Sequence, residues 1–212
     1  MLLGIGLYVG ALAPEIVAGM PMPPLMLTRV LASVSVFVAA PALAVLVISI
    51  AELGLRRHRP AAVVAIAAIV LCALLAVANR IVQLEIVVMG SPAPALDLYA
   101  AGSLANFVEM FAWDFCLGLA AALAALAIHG AYGVRWMRSW LAVTGALALL
   151  GEAFYFAGGL GLAAAALGLA GMGVSVAAWV VGLSAVAAAA LTAPVWRPGE
   201  RSMSPPYRPV TT

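Results

Sequence analysis

Two carboxylates stand inside one of the apolar stretches of the chain. Residues 104–115 read LANFVEMFAWDF and carry Asn106, Glu109 and Asp114 within nine residues. The whole chain has only eight acidic residues, so two of them in one apolar segment need an explanation. Buried carboxyls can pair with arginine, bind ions or transfer protons, and in a membrane such groups are functional candidates by default.

The composition indicates the environment in which these carboxylates lie. The 212 residues are 67% hydrophobic and 8% charged, with a mean hydropathy of +1.18, whereas a soluble domain carries about 25% charged residues. The sequence therefore predicts an all-α polytopic membrane protein. Its length suits one compact bundle, because each membrane-spanning helix needs roughly 20 apolar residues. We expect the lipid bilayer as its surroundings and no nucleic-acid partner.

Breaks in hydropathy and clusters of proline, glycine and charge divide the chain into six predicted helices, and a seventh is compatible with the length. The predicted helices cover about residues 2–20, 26–55, 61–89, 100–130, 136–162 and 169–196. Together they form a transmembrane bundle over residues 1–196. The polar, proline-rich residues 197–212 are expected to form a disordered cytoplasmic tail. The oligomeric state does not follow from the sequence.

The arginines predict the orientation of the bundle. All ten basic residues are arginine and alanine is very frequent, which is typical of a high-GC bacterial genome. Six helices place three groups of arginines on one side, namely Arg56, Arg57 and Arg59, then Arg135 and Arg138, then Arg197, Arg201 and Arg208. The positive-inside rule makes that side cytoplasmic. We therefore predict a multi-pass protein of the bacterial inner membrane with both termini in the cytoplasm.

Several ionisable groups fall in one layer of the predicted bundle. At a rise of about 1.5 Å per residue, Asp114 lies near the middle of its helix, and four other groups lie a few ångströms outward: Glu15, Arg80, Glu109 and Glu152. A charged side chain near the bilayer centre costs at least ~2.5–3.5 kcal/mol. These groups therefore need partners or a polar cavity, and we expect them to converge in the outer half of the bundle.

Helical spacing assigns these groups to faces. Asn79, Arg80 and Gln83 share one face of the third predicted helix. The fourth carries a stripe at the i, i+3, i+7 spacing, made of Asn106, Glu109 and Trp113. Asp114 lies at the edge of this stripe, about 140° from Glu109 in a regular helix. The two carboxyls are therefore not expected to share a proton.

Two interpretations need no catalysis. In a structural bundle, Arg80 is neutralised by Glu109 or Glu152 and the polar layer holds the helices together. In a small-solute or proton-coupled transporter, or a ligand-sensing protein, the same layer lines a polar cavity. No internal repeat is visible in the sequence, although many transporters are built from repeats.

No metal or cofactor is expected. His58 and His129 are far apart in the predicted bundle, and neither has a cysteine or carboxylate at ligand spacing. The glycines match no phosphate-binding pattern. Cys72 and Cys116 lie in apolar runs and are expected to be small buried side chains.

The string FAWDF, Phe111 to Phe115, with Asn106 shortly before it, resembles the Asn-Phe-Ala-Trp-Glu-Phe element of the integral-membrane terpene cyclases that complete meroterpenoids. In that family the acid of the element is regarded as catalytic, and Asp114 occupies its position here. The family usually has seven spans and a second acid in the last one, whereas the last span predicted here has no acid. Two longer stretches, LANFVEMFAWDFCLGLAAALAAL and GVRWMRSWLAVTGALALLGEAF, resemble a broad group of uncharacterised bacterial six-span membrane proteins, which implies a fold and no activity.

The cyclase resemblance implies acid-initiated cyclisation of a prenylated, lipophilic small molecule, a reaction of isomerase or lyase type in biosynthesis. Protonating an alkene needs a neutral carboxylic acid, and low dielectric favours that form. Asp114 is the expected donor because it is the deepest carboxyl and the acid of the element, with Glu109 and Glu152 as alternatives. Aromatic faces stabilise the cation. The residues expected to bind substrate are Arg80, Asn106, Gln83, Asn79, Trp113, Phe111, Phe154, Tyr155 and Glu15.

Overall fold

The computed structural model describes residues 26–56, 58–90, 94–98, 103–129 and 135–159. These residues form four long helices: α1 (Met26–Glu52), α2 (Arg59–Met89), α3 (Leu104–Ala127) and α4 (Arg135–Gly159). Helix α3 has three parts, which are α-helical Leu104–Met110, π-helical Phe111–Cys116 and α-helical Leu117–Ala127. A single 3-10 turn, Pro94–Leu96, lies between α2 and α3.

All four helices are long and apolar enough to cross a membrane. They correspond to the predicted helices at 26–55, 61–89, 100–130 and 136–162, with ends that differ by a few residues. The helical character predicted for this part of the chain is thus confirmed, with helices long and apolar enough to cross a membrane. The helices predicted at 2–20 and 169–196, Glu15 and the tail lie outside the described residues, so the count of six stays a prediction.

Burial in the bundle favours a lipid environment. Arg80 and Asp114 are each 1% exposed, whereas Val45 and Leu74 are 64% and 63% exposed. Hydrocarbon tails accept exposed leucine and valine freely, and they force ionisable groups toward the bundle interior. The distribution of polar and apolar side chains in the described residues is compatible with a bilayer.

The helices pack in chain order, α1 along α2, α2 along α3 and α3 along α4. Helices α3 and α4 approach most closely at a seam of small residues. A Cβ atom at Gly145 would lie 2.7 Å from the Ala122 nitrogen and 2.8 Å from the Gly118 oxygen. Small residues permit such close packing between membrane helices. The seam also brings α4 against the π-helical part of α3.

Replacing Gly145 by valine should separate this seam. The added side chain meets backbone atoms of α3, which cannot move aside as a flexible side chain can, and overpacking of this kind costs about 1–3 kcal/mol. Unfolding by SDS titration in mixed micelles measures the loss. The matched control is Ala146→Val, because Ala146 is exposed on the same helix and its substitution should change the unfolding free energy by less than about 0.5 kcal/mol. Equal losses in both variants would contradict close packing at Gly145.

A second close contact joins the turn between α1 and α2 to the end of α3. A Cβ atom at Gly54 would lie 2.5 Å from the carbonyl oxygen of Ala127. The ring centroids of His58 and His129 are consequently 6.5 Å apart, in an edge-on arrangement. The expectation that these two histidines are far apart is wrong, because the α1–α2 turn folds onto the end of α3.

Candidate functional site

The FAWDF element coincides with the π-helical turn of α3. Across it, the backbone N–H of Leu117 donates to the carbonyl of Ala112, five residues earlier. Such turns are rare and occur frequently at functional sites. The expected angle of about 140° between Glu109 and Asp114 holds for a regular α-helix, and the π turn changes it. Both carboxyls are buried within the bundle.

Glu109 is the centre of a hydrogen-bond network between α2 and α3. Its Oε1 pairs with the Arg80 guanidinium and accepts a hydrogen bond of 3.0 Å from the Trp113 indole. Its Oε2 accepts a bond of 2.7 Å from the Asn79 amide, which also donates to the Ala105 carbonyl at 3.0 Å. Three donors suit an ionised carboxylate, which only accepts. Glu109 is therefore the partner of Arg80.

A strap, defined as residues 94–98, is tied to α1 and α2 by side chains. The Gln83 amide donates to the Leu96 carbonyl at 2.7 Å, and its oxygen accepts a bond of 3.0 Å from the Leu98 N–H. Arg29 of α1 donates to both oxygens of Asp97, at 2.8 and 2.9 Å. Four hydrogen bonds from two helices thus hold five residues of connecting chain.

Asn106 connects the strap to α4. Its amide nitrogen donates to the Leu98 carbonyl at 3.3 Å, and its amide oxygen accepts a bond of 2.7 Å from the Tyr155 hydroxyl. Its backbone N–H is capped by the Ser103 hydroxyl at 3.0 Å, which starts α3. Tyr155 lies one helical turn beyond Glu152. A continuous set of polar contacts therefore runs from the strap to the neighbourhood of Glu152.

Replacing Gln83 by leucine should release the strap, because the Leu98 N–H and the Leu96 carbonyl both lose their partner. Each such bond contributes about 0.5–1.5 kcal/mol, so the loss of both should accelerate amide exchange at Leu98 at least about fivefold. Hydrogen–deuterium exchange of peptides that cover the strap measures this. Glu85→Gln, two residues further along α2 and exposed, is the control and should leave exchange unchanged. Unaltered exchange in Gln83→Leu would show that the strap is held by other contacts.

Asp114 and Glu152 form a second group of carboxyls, between α3 and α4. Their side chains are 1% and 3% exposed, and their charges lie within electrostatic range of each other. Neither oxygen of Glu152 has a hydrogen-bond partner among the described residues. A buried carboxyl without a hydrogen bond is costly, and such a group marks a place where a water, a ligand or a proton completes the site. Among the described residues, Glu109 thus has three hydrogen-bond donors around it, whereas Glu152 has none.

Aromatic side chains divide between the interior and the surface. Phe107, Phe111 and Phe115 form a ladder of stacked rings on α3, with centroid distances of 6.3 and 5.0 Å. Phe156 of α4 meets Phe107 edge-on at 5.7 Å. The ladder lies at the surface of the described bundle, where Phe107, Phe115 and Phe156 are between 38% and 43% exposed. Trp113 is buried beside Glu109 instead.

The structure divides the predicted site residues into three groups. The first surrounds Glu109 and consists of Asn79, Arg80 and Trp113. The second is the strap contact of Gln83, Asn106 and Tyr155. The third is the acid pair Asp114 and Glu152, while Phe111 belongs to the surface ladder and Phe154 is half-buried on α4.

The sequence did not predict the pairing of Arg29 with Asp97. These residues are 68 positions apart, and no local pattern links them. The Ser103 cap does have a signal, since a serine directly before an apolar helical run is a typical N-cap. Within the described ranges, no group of three histidine, cysteine or acidic residues could hold a metal ion.

Comparison with protein-family models, with curated proteins and with solved structures finds no match for this chain. The site is therefore interpreted from its own geometry.

Proposed function

We propose that this chain is an integral-membrane terpene cyclase that starts the cyclisation of a prenylated, lipophilic substrate by protonation. The observation that carries the proposal is the Glu152 carboxyl, which is buried, has no hydrogen-bond partner among the described residues and lies within electrostatic range of Asp114 of the FAWDF element. Structural carboxyls in a membrane interior are paired, as Glu109 is. A carboxyl without such a partner supports a role in a reaction.

The buried acids divide into two roles. Glu109 keeps its negative charge beside Arg80 and fixes the α2–α3 contact. Asp114 and Glu152 are close like charges in a low dielectric, and a pair of this kind holds one negative charge at much lower cost than two. The pair is therefore suited to carry a single transferable proton.

The reaction balances with these two carboxyls alone. The protonated member of the pair gives its proton to one carbon of an alkene, or to an epoxide oxygen, and becomes a carboxylate. The resulting carbocation is attacked by internal double bonds, which closes rings. Loss of a proton from a neighbouring carbon to a carboxylate of the pair then forms the final double bond and restores the acid. The alkene product is an isomer of the substrate.

The surroundings suit a lipophilic cation. Trp113 precedes Asp114 and is buried within the bundle, and aromatic faces stabilise cations by about 0.5–2 kcal/mol each. The exposed ladder of Phe107, Phe111 and Phe115 offers an aromatic surface on the side of the bundle. A prenyl chain dissolved in the bilayer can reach such a surface without crossing water.

Isotope labelling gives a direct test. Protein in nanodiscs is incubated with farnesylated and geranylated aromatic substrates in D₂O. The products are separated by chromatography, and their masses are measured by mass spectrometry. Proton-initiated cyclisation adds one solvent deuterium and releases one hydrogen, so the product should be one mass unit heavier than the substrate. Asp114→Asn and Glu152→Gln should each lower conversion at least about 100-fold. The control Glu85→Gln changes an exposed acid and should retain full conversion.

A transporter is the competing outcome, favoured by the polar contacts that connect all four helices through the strap. It predicts pH changes inside proteoliposomes when a solute is added, with loss of this flux in Glu152→Gln. Solute-driven proton flux without conversion of any prenylated substrate would replace the cyclase proposal. Conversion that survives both acid variants would refute the assignment of the acid pair.

A further inference from the structure

The end of the bundle opposite the strap carries a basic cluster that the proposed function does not use. Arg138 of α4 lies with its Nη1 at 2.8 Å from Nδ1 of His129, at the end of α3. His129 in turn meets His58, which precedes α2. Arg138, His129 and His58 therefore form a row of contacts in which His129 is the middle member. All three positions lie outside the four apolar spans or within the first turn of one.

Arg138 contacts His129, and its other N–H donors have no partner within the part of the chain that the structure describes. A guanidinium has five N–H donors in a planar fork, and one of them is directed at the ring nitrogen of His129. No carboxylate among the described residues pairs with Arg138. An oriented fork with open donors matches the two oxygens of a phosphate group.

The charge around Arg138 reinforces this match. Arg56, Arg59 and Arg135 are exposed at the same end, and none of them forms a salt bridge with a described carboxylate. Glu52 is the carboxylate at this end of the described helices, and it is exposed without an ion pair to any of them. Trp136 and Trp140 lie two positions before and two positions after Arg138 along α4, and tryptophans are enriched at the headgroup level of a bilayer.

We propose that Arg138, oriented by His129 and accompanied by His58, is the headgroup site for an anionic phospholipid. The guanidinium donates to the phosphodiester oxygens, and the neighbouring arginines attract the negative lipid to this end of the bundle. The inference is independent of the acid pair at the other level of the protein.

Native mass spectrometry of the full-length protein tests this site. The protein is released from detergent in the presence of equal amounts of phosphatidylglycerol and phosphatidylcholine, and the bound lipids are counted. The wild type should prefer phosphatidylglycerol. Arg138→Lys keeps the positive charge but removes the planar guanidinium that can bind two phosphate oxygens. His129→Ala keeps Arg138 but removes the imidazole that orients it. Each should lower the preference about tenfold, the effect of losing a hydrogen bond to a charged group. Both residues are at the surface, and unchanged unfolding without lipid confirms that the variants fold.

Arg56→Gln is the matched control, because it removes one exposed positive charge from the same end without touching Arg138. It should lower the preference no more than about fivefold, the contribution of a single arginine near an anionic surface. Full preference in Arg138→Lys, or an equal loss of preference in Arg138→Lys and Arg56→Gln, would reduce the site to general attraction and overturn the proposal. Displacement of the lipid by millimolar inorganic phosphate would assign the site to free phosphate instead, and it too would overturn the lipid assignment.

Discussion

Replacing Arg80 by methionine should lower the free energy of unfolding by about 3–5 kcal/mol, the loss typical of a buried ion pair from which one partner is removed. Arg80 is 1% exposed and pairs with Glu109. Methionine fills much of the space of the arginine side chain but carries no charge. The Glu109 carboxylate therefore stays buried beside an apolar side chain. SDS titration in mixed micelles, or a thermal melt in detergent, measures the loss.

Two variants test whether the loss comes from the unpaired charge. The double variant Arg80→Met, Glu109→Gln removes both charges and should recover most of the stability, since replacing a whole buried pair by neutral groups is often close to neutral. Arg29→Met breaks the partly exposed pair with Asp97, whose side chains are 13% and 24% exposed, and should cost only about 0.2–1 kcal/mol. If the double variant were as unstable as Arg80→Met, the guanidinium itself would be required for folding.

Replacing Glu152 by methionine should have the opposite effect on stability and remove activity. The Glu152 oxygens are buried without a hydrogen-bond partner among the described residues, so a side chain of similar length without polar oxygens should raise the unfolding free energy by about 0.5–2 kcal/mol. Conversion of a prenylated substrate should fall at least about 100-fold. A gain in stability combined with a loss of activity is the signature of a residue kept for chemistry.

The control for Glu152→Met is Ala153→Met. Ala153 is the exposed neighbour on α4, so the same side chain is introduced on the outer face, and both stability and conversion should be retained. Destabilisation of Glu152→Met by more than about 1 kcal/mol would show that the carboxyl has a structural partner. That outcome would favour the structural bundle over both the cyclase and the transporter.

The positions of the described helices were predictable because apolar length is the dominant signal in a membrane protein. Runs of about 20 apolar residues, broken at RRHRP and at GVRWMR, located α2 and α4 to within a few residues. The polar stripe was also predictable, since the i, i+4 spacing of Glu109 and Trp113 gives the hydrogen bond observed between them.

The partners across helices were not predictable from local spacing. The sequence left two acids open as partners of Arg80, and the packing of α2 on α3 selects Glu109. For the same reason, the predicted bundle placed His58 and His129 far apart. They meet because Gly54 permits a close contact with Ala127. The π turn had no signal either, since FAWDFC contains neither proline nor glycine and reads as ordinary helix.

The π turn has a consequence for comparing this chain with others. It acts as a single extra residue inside an otherwise regular helix, so a chain lacking that residue would keep both ends of α3 and still span the same distance. If the two chains were aligned without a gap, each residue after the turn would be matched with one that lies about 100° around the helix from it. A gap-free alignment through residues 111–116 would then match acids that point in different directions. A gap of one residue within the turn restores the match. Without that gap, the equivalent carboxyl of such a chain is found one position away from the aligned one.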